Sequence, residues 1–234
     1  MSGSSWADLR QVVIATVEPT AVAGALREQL RLGRGFGDPE LDAHGIADDT
    51  MAVGAHTYLE VVSPTTAEHP MAQWLHTLGG TAGYLLSVQV SDVQACLDRC
   101  RELGVRVPLT QPVQGFTVAQ LHRGDMGFGL ETDGIVPRGR WFWDILDVDR
   151  PATSRVDDIV DVTVAVRDPD HSAVRMAAVL DQPRDGHSVV LGERVVRFVT
   201  SSDRSGPVAV TLHAVDRADT GERFVAAGIE FNLV

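Results

Sequence analysis

The sequence predicts an α+β fold in which one strand–helix–strand unit recurs along the chain, with helices covering one face of each sheet. Two observations predict it. Runs rich in β-branched residues each lead into a helical pattern that opens on a capping residue or proline, and these runs alternate so that one face is apolar and the other small or polar.

In the first unit, residues 11–17 (Gln-Val-Val-Ile-Ala-Thr-Val) read as a strand, and Glu18-Pro19 starts a helix with proline in its first turn. Val22, Ala25, Leu26 and Leu30 then follow helical spacing until Gly33, Gly35 and Gly37 break it. The second unit runs from residues 85–90 through Ser91-Asp92 into a helix ending at Leu103-Gly104, where glycine suits the left-handed C-terminal position. A third runs from 161–166 through Arg167-Asp168-Pro169 to a helix reaching Leu180. A shorter fourth begins at 208–213, continues from Asp216 to Ala227, and closes with a strand at 229–234. Gln11, Leu85 and Asp161 occupy equivalent positions in the first three units, and further strands are expected near 47–62, 116–133 and 187–200.

Side chains of a strand alternate between faces. Val12, Ile14 and Thr16, then Leu86, Val88 and Val90, then Val162, Val164 and Val166 should pack under helices. Gln11, Val13 and Ala15, then Leu85, Ser87 and Gln89, then Asp161, Thr163 and Ala165 should face away. In 54–62 the same alternation puts His56, Tyr58 and Glu60 on one face and Thr57, Leu59 and Val61 on the other. Glu131 and Asp133 end a later segment of similar character.

Composition narrows the function. The 234 residues are 44% hydrophobic, enough to bury roughly 70–75% of the unfolded surface. No apolar run reaches membrane-spanning length, and the N-terminus lacks a basic region followed by an apolar core, so neither membrane insertion nor a signal peptide is expected. Twenty basic against thirty-two acidic residues give a net charge of −12 without a basic stripe, which argues against nucleic acid as a partner. Cys96 and Cys100, the only cysteines, share a helical face with Val93, Leu97 and Leu103; they read as buried thiols of a protein in a reducing cytoplasm. No phosphate-binding glycine loop, nucleophile elbow or His-Glu-x-x-His is present.

The order of Val-Val-Ile-Ala-Thr-Val-Glu-Pro at 12–19, Tyr-Leu-Glu-Val-Val-Ser-Pro at 58–64, Val-Gln-Val-Ser-Asp-Val at 88–93, Glu-Leu-Gly-Val-Arg-Val at 102–107 and Asp-Met-Gly-Phe-Gly-Leu-Glu at 125–131 resembles the vicinal oxygen chelate superfamily. That superfamily includes glyoxalase I, methylmalonyl-CoA epimerase, extradiol dioxygenases and bleomycin-resistance proteins. The resemblance implies βαβββ modules forming curled mixed sheets with helices on the outer face. It implies a glyoxalase-like domain of two modules over 1–135, a linker over 136–156 and an abbreviated second half over 157–234. It further implies a cup holding one divalent metal, with Glu60 and Glu131 at the carboxylate positions, Gln11 where the first histidine would stand and Leu85 where the second would. Gln11, Glu60 and Glu131 would suit Mg²⁺ or Mn²⁺ as an oxygen-only set, and His56 or His122 would add a nitrogen for Zn²⁺, Fe²⁺ or Mn²⁺.

Two functions follow from the resemblance. One is a metal-assisted isomerase, lyase or oxygenase acting on a small oxygenated metabolite, with Glu60 or Glu131 as ligand or general base and His56, His122 or Tyr58 carrying protons. The other is a metal-free drug- or metabolite-binding protein. Its cavity floor would be Val13, Ala15, Leu85 and Ser87, and its stacking surface Trp74, Trp141 and Trp143, with His56 also contacting ligand. Plainer readings remain for the same residues: Glu60 paired with Arg123 or Arg140, Tyr58 packed in the core, His122 bracing a turn, and Trp141, Phe142 and Trp143 pinning the linker. His44, His69, His76, His171 and His187 fall in loops or helices with no constellation, and His213 has no visible partner. With all the modules in one chain, either a monomer or a homodimer is expected.

Overall fold

The computed structural model describes residues 5–145 and 154–234; linker residues 146–153 and the side chain of Trp143 lie outside the described residues. The first half runs β1 (Ala7–Thr16), α1 (Pro19–Leu30), α2 (Pro39–Asp42), β2 (Ile46–Val53), β3 (Thr57–Pro64), α3 (Pro70–Thr77), β4 (Thr81–Val90), α4 (Val93–Glu102), β5 (Leu109–Val113), β6 (Phe116–Leu121), α5 (Arg123–Met126), β7 (Gly129–Asp133) and α6 (Phe142–Ile145). The second half runs β8 (Val156–Val166), α7 (Pro169–Leu180), β9 (Arg184–Asp185), β10 (Ser188–Leu191), β11 (Arg194–Thr200), β12 (Gly206–Ala214), β13 (Arg223–Ala226) and β14 (Ile229–Leu233).

The α+β expectation holds, as two mixed seven-stranded sheets. The strand orders are β2-β3-β1-β4-β7-β6-β5 and β13-β14-β12-β8-β11-β10-β9. Both follow one plan. A central antiparallel pair (β1 with β4, β8 with β12) is flanked by a parallel partner on each side: β3 and β7 in the first sheet, β11 and β14 in the second. The recurrence is incomplete in the fourth unit. Between Asp216 and Ala227 there is only a 3₁₀ turn at Arg217–Asp219 and then β13, because Thr220-Gly221 ends the turn after one cycle.

The helix starts obey the capping rules read from the sequence. Asp92 and Asp168 accept the backbone N–H of Ala95 and His171, and Pro19 and Pro169 sit in first turns. The strand faces are also as expected. Val12, Ile14, Leu86, Val88, Val162, Val164 and Val166 join Leu26, Leu30, Cys96, Cys100, Met176 and Val179 in one continuous core shared by both halves. Burial raises the Cys100 thiol to about 11, so these cysteines pack rather than react.

One expected strand starts late. Residues 54–56 form the turn of the β2–β3 hairpin, with Gly54 at φ +68°, so the strand begins at Thr57. Thr57 then stitches the halves together: its hydroxyl donates to Asp158 Oδ1 at 3.0 Å and accepts from Ile159 N at 3.1 Å. Among the described residues no helix is long and apolar enough to cross a membrane.

The halves meet closely where Gly83 of β4 faces Pro207 of β12: a Cβ at residue 83 would collide with the Pro207 carbonyl. Gly83→Ala is therefore expected to cost about 1–3 kcal/mol of stability through forced displacement of packed backbone. Urea unfolding measures it, and an unchanged midpoint would contradict this close approach.

Candidate functional site

The face of the first sheet opposite the shared core forms a cup, with α3 packed along one edge of it, and the register of six strands sets what lines it. Gln11 of β1 lies opposite Tyr58 of β3 and Ser87 of β4, and Val13 lies opposite Glu60 and Leu85. Glu131 of β7 is opposite Ser87 on one side and Gln120 of β6 on the other, while Thr50 of β2 faces Glu60. The result is a cavity of about 380 Å³. Its polar lining includes Gln11, Asp48, Glu60, Gln120 and Glu131, its apolar walls include Val13, Val62, Leu85 and Val118, and Phe36, Tyr84, Trp141 and Phe142 add aromatic surface.

A long-range network closes one end. Buried Arg10 donates to Gln89 Oε1 at 2.9 Å, and Gln89 Nε2 donates to the carbonyls of Ile135 at 2.6 Å and Arg140 at 3.0 Å. This draws residues 135–141 over the sheet, where Ile135, Trp141, Tyr58 and Ala52 pack together. The Trp141 indole donates to Gln11 Oε1 at 3.1 Å, and Gln11 Nε2 donates to Glu60 Oε2 at 2.8 Å. Opposite, Gln120 Nε2 donates to Glu131 Oε2 at 2.8 Å, and Ser87 donates to Asp133.

The electrostatics of this floor are those of buried acids without a counter-cation. Burial pushes Glu60 well above the usual carboxyl range, and the neighbouring Asp48 and Glu131 add to it. Burial raises Glu131 against the opposing hydrogen bonds of Gln120 and Ser87. Asp133 is also raised by burial and then by Glu131, and its Oδ1 is buried with no partner among the described residues, as suits a neutral carboxyl. Asp48 is raised to about 6, chiefly by burial. Such groups donate hydrogen bonds when protonated and balance a ligand's positive charge when ionised.

The sequence-derived site residues separate here. Gln11, Glu60, Leu85, Glu131 and Trp141 all line the cup. Ser87 is buried beneath its floor. Tyr58 is 0% exposed under Ile135 and Trp141, so it is core rather than a proton carrier reaching the cavity. His56 sits in the hairpin turn, where its carbonyl accepts from Arg10. His122 precedes α5 and contacts Arg106 at 2.9 Å and Asp125 at 3.3 Å, bracing a turn outside the cup. Trp74 belongs to a different cleft, beside Arg123. His213 does have a partner, Asp157, at 2.6 Å.

Sequence reasoning missed Asp48, Gln120, Tyr84, His44 and His69, all of which line the cup. The signal for Asp48 was a hairpin centred on Gly54, which sets Asp48 opposite Val62. His69 caps α3 by accepting Met71 N at 3.1 Å, a position no strand pattern marks.

The residues do not fit the divalent metal implied by the resemblance. The carbonyl oxygen of Gln11 is taken by Trp141 and its amide donates to Glu60, while Leu85 fills the fourth position with carbon. Neither His56 nor His122 reaches the cup, and no group of three His, Cys, Asp or Glu among the described residues could hold an ion.

No model of a known protein family matches the sequence, and no curated protein matches it. Solved structures do resemble it. Methylmalonyl-CoA epimerase from Mycobacterium tuberculosis is 22% identical with a TM-score of 0.50, covering 59% of this chain and 95% of its own. A hypothetical protein from Staphylococcus aureus is 10% identical with a TM-score of 0.66, covering 97% of this chain and 99% of its own. A triple mutant of 4-hydroxymandelate synthase from Streptomyces coelicolor is 14% identical with a TM-score of 0.67, covering 91% of this chain and 72% of its own. These likenesses establish the fold: it is that of the vicinal oxygen chelate superfamily.

Proposed function

We propose that the cup binds a small amphiphilic molecule without a metal, and that the ligand's head carries a protonated amine or a cluster of hydrogen-bond donors. The observation that carries this reading is the polarity of the lining. Its charged groups are carboxyls accompanied by histidine, its remaining polar groups are largely amides, and no arginine lines it among the described residues. An anionic ligand such as an acyl-CoA would find no guanidinium there to pair its charge and would oppose ionisation of the acids. An amine at Glu60, Glu131 and Asp48 would instead draw those acids into their ionised form, while an apolar or aromatic body lies against Leu85, Val13 and Trp141. The sequence contains no lysine, so no lysine Schiff base with a carbonyl compound can form.

Titration with an arylalkylamine, followed by calorimetry, tests this reading. Binding should survive EDTA, should weaken about tenfold or more in Glu131→Gln, equivalent to about 1.4 kcal/mol, and should be absent for the matching arylalkyl carboxylate. Loss of binding with EDTA, or preference for the carboxylate, would overturn it.

The same acidic floor makes stability depend on pH in the ligand-free protein. A carboxyl whose folded-state value is raised contributes stability that is complete below its unfolded value, near pH 4, and is lost as pH rises through the folded value. Glu60→Gln, which cannot ionise, should therefore raise Tm relative to the parent at pH 8 more than at pH 4.5. Equal shifts at the two pH values would contradict the raised Glu60.

A further inference from the structure

A second cleft, of about 530 Å³, opens where α3 and α5 of the first half meet the start of α7 and the β11–β12 loop of the second. It shares a wall with the cup: Tyr84 lines the cup, and the guanidinium of Arg123, which lines the cleft, lies 5.2 Å from the centre of the Tyr84 ring. Its charge differs from the cup's: three arginines stand beside two aspartates, where the cup has no arginine. Arg123, Arg167 and Arg204 all line it, and none of the three makes an ion pair with a described residue.

Arg123 is the unusual member. It is stacked 5.1 Å from the Trp74 ring centre, and its donors go to the carbonyl of Tyr84 and to the carbonyl and hydroxyl of Ser205 at 3.1 and 3.3 Å. Burial pushes its pKa down, and no carboxylate opposes that. Buried charges are ordinarily paired, so a cation held this way leaves room for an anion. The two carboxylates of the cleft already hold hydrogen bonds: Asp168 caps α7 through His171 N at 3.0 Å, and Asp203 accepts the Ser201 hydroxyl at 2.7 Å, which together with neighbouring Arg204 helps keep it ionised. Ser172, in the first turn of the twelve-residue α7, is 1% exposed and lines the cleft, and its Oγ has no hydrogen-bond partner among the described residues. The N-terminus of α7 adds its own partial positive charge.

We propose that this cleft binds a phosphomonoester. Three guanidinium groups exceed what a carboxylate, with one charge and two oxygens, can satisfy; a phosphoryl dianion with three terminal oxygens matches them. The cleft is far larger than one phosphate, and Trp74 and Leu78 provide an apolar shelf for the organic body of the ester. This inference stands apart from the reading of the cup, and the two succeed or fail separately.

Calorimetric titration with phenyl phosphate, inorganic phosphate and benzoate at low ionic strength tests it. The Arg167→Ala, Arg204→Ala double variant serves as the control, because both side chains are exposed and their removal leaves the packed core intact. Phenyl phosphate should bind saturably and more tightly than inorganic phosphate, and the double variant, with unchanged Tm, should lose about tenfold or more in affinity. Three results would overturn the proposal. They are absence of saturable phenyl phosphate binding, unchanged affinity in the double variant, and benzoate binding as tightly as phenyl phosphate. Equal affinity for inorganic and phenyl phosphate would overturn the ester assignment in favour of free phosphate.

Discussion

The antiparallel pairing of β1 with β4 is the constraint from which the first half is built. It places Gln11 across from Ser87 and Val13 across from Leu85, and each strand then adds one parallel neighbour that brings a glutamate to the same face. The opposite face is committed by the same alternation to Val12, Ile14, Leu86 and Val88 under the helices. Slipping this pair by one residue would invert one strand and its parallel partner, carrying a glutamate into the core and apolar core residues into the cup, a change no local repacking could absorb. The core therefore fixes the site: the apolar face sets the register, and the register sets the acids.

The second sheet follows the same plan with different chemistry. Pairing puts Asp161 where β1 has Gln11, Arg197 where β3 has Glu60, and Asn232 where β7 has Glu131. Arg197 binds Asp161, so the carboxylate on that face is already neutralised within the sheet. In the first half the equivalent acids have only amides and a serine as partners. The two halves thus share a backbone, while only one keeps buried acids free to answer a ligand.

What was legible in the sequence was local. Period-two alternation assigned the buried and open faces of β1, β4 and β8 correctly, proline marked the start of α1, and capping aspartates marked those of α4 and α7. What was not legible depended on distant chain. Tyr58 has the parity of Glu60 but is covered by residues 135–141, which Arg10 and Gln89 hold through bonds spanning more than forty positions. His56 was lost to the strand because Gly54 adopts a positive φ and turns the chain there. Trp74 and His122 share no strand with the cup; Trp74 lies on α3, which packs on Val13, Val62 and Leu85, and His122 precedes α5, so strand parity does not place either. The metal expectation failed on two residues, Leu85 at a ligand position and Gln11 with its oxygen already bonded to an indole, and only the first was visible in sequence.

The central claim is that Gln11, Glu60 and Glu131 form a hydrogen-bonded acidic floor rather than a metal centre. A crystal structure of protein grown with excess Mn²⁺, with anomalous difference maps, addresses it directly. The account predicts no anomalous peak in the cup, with the Trp141–Gln11 and Gln11–Glu60 hydrogen bonds intact. A peak about 2.0–2.3 Å from oxygens of both Glu60 and Glu131, with Gln11 turned to coordinate it, would contradict the account.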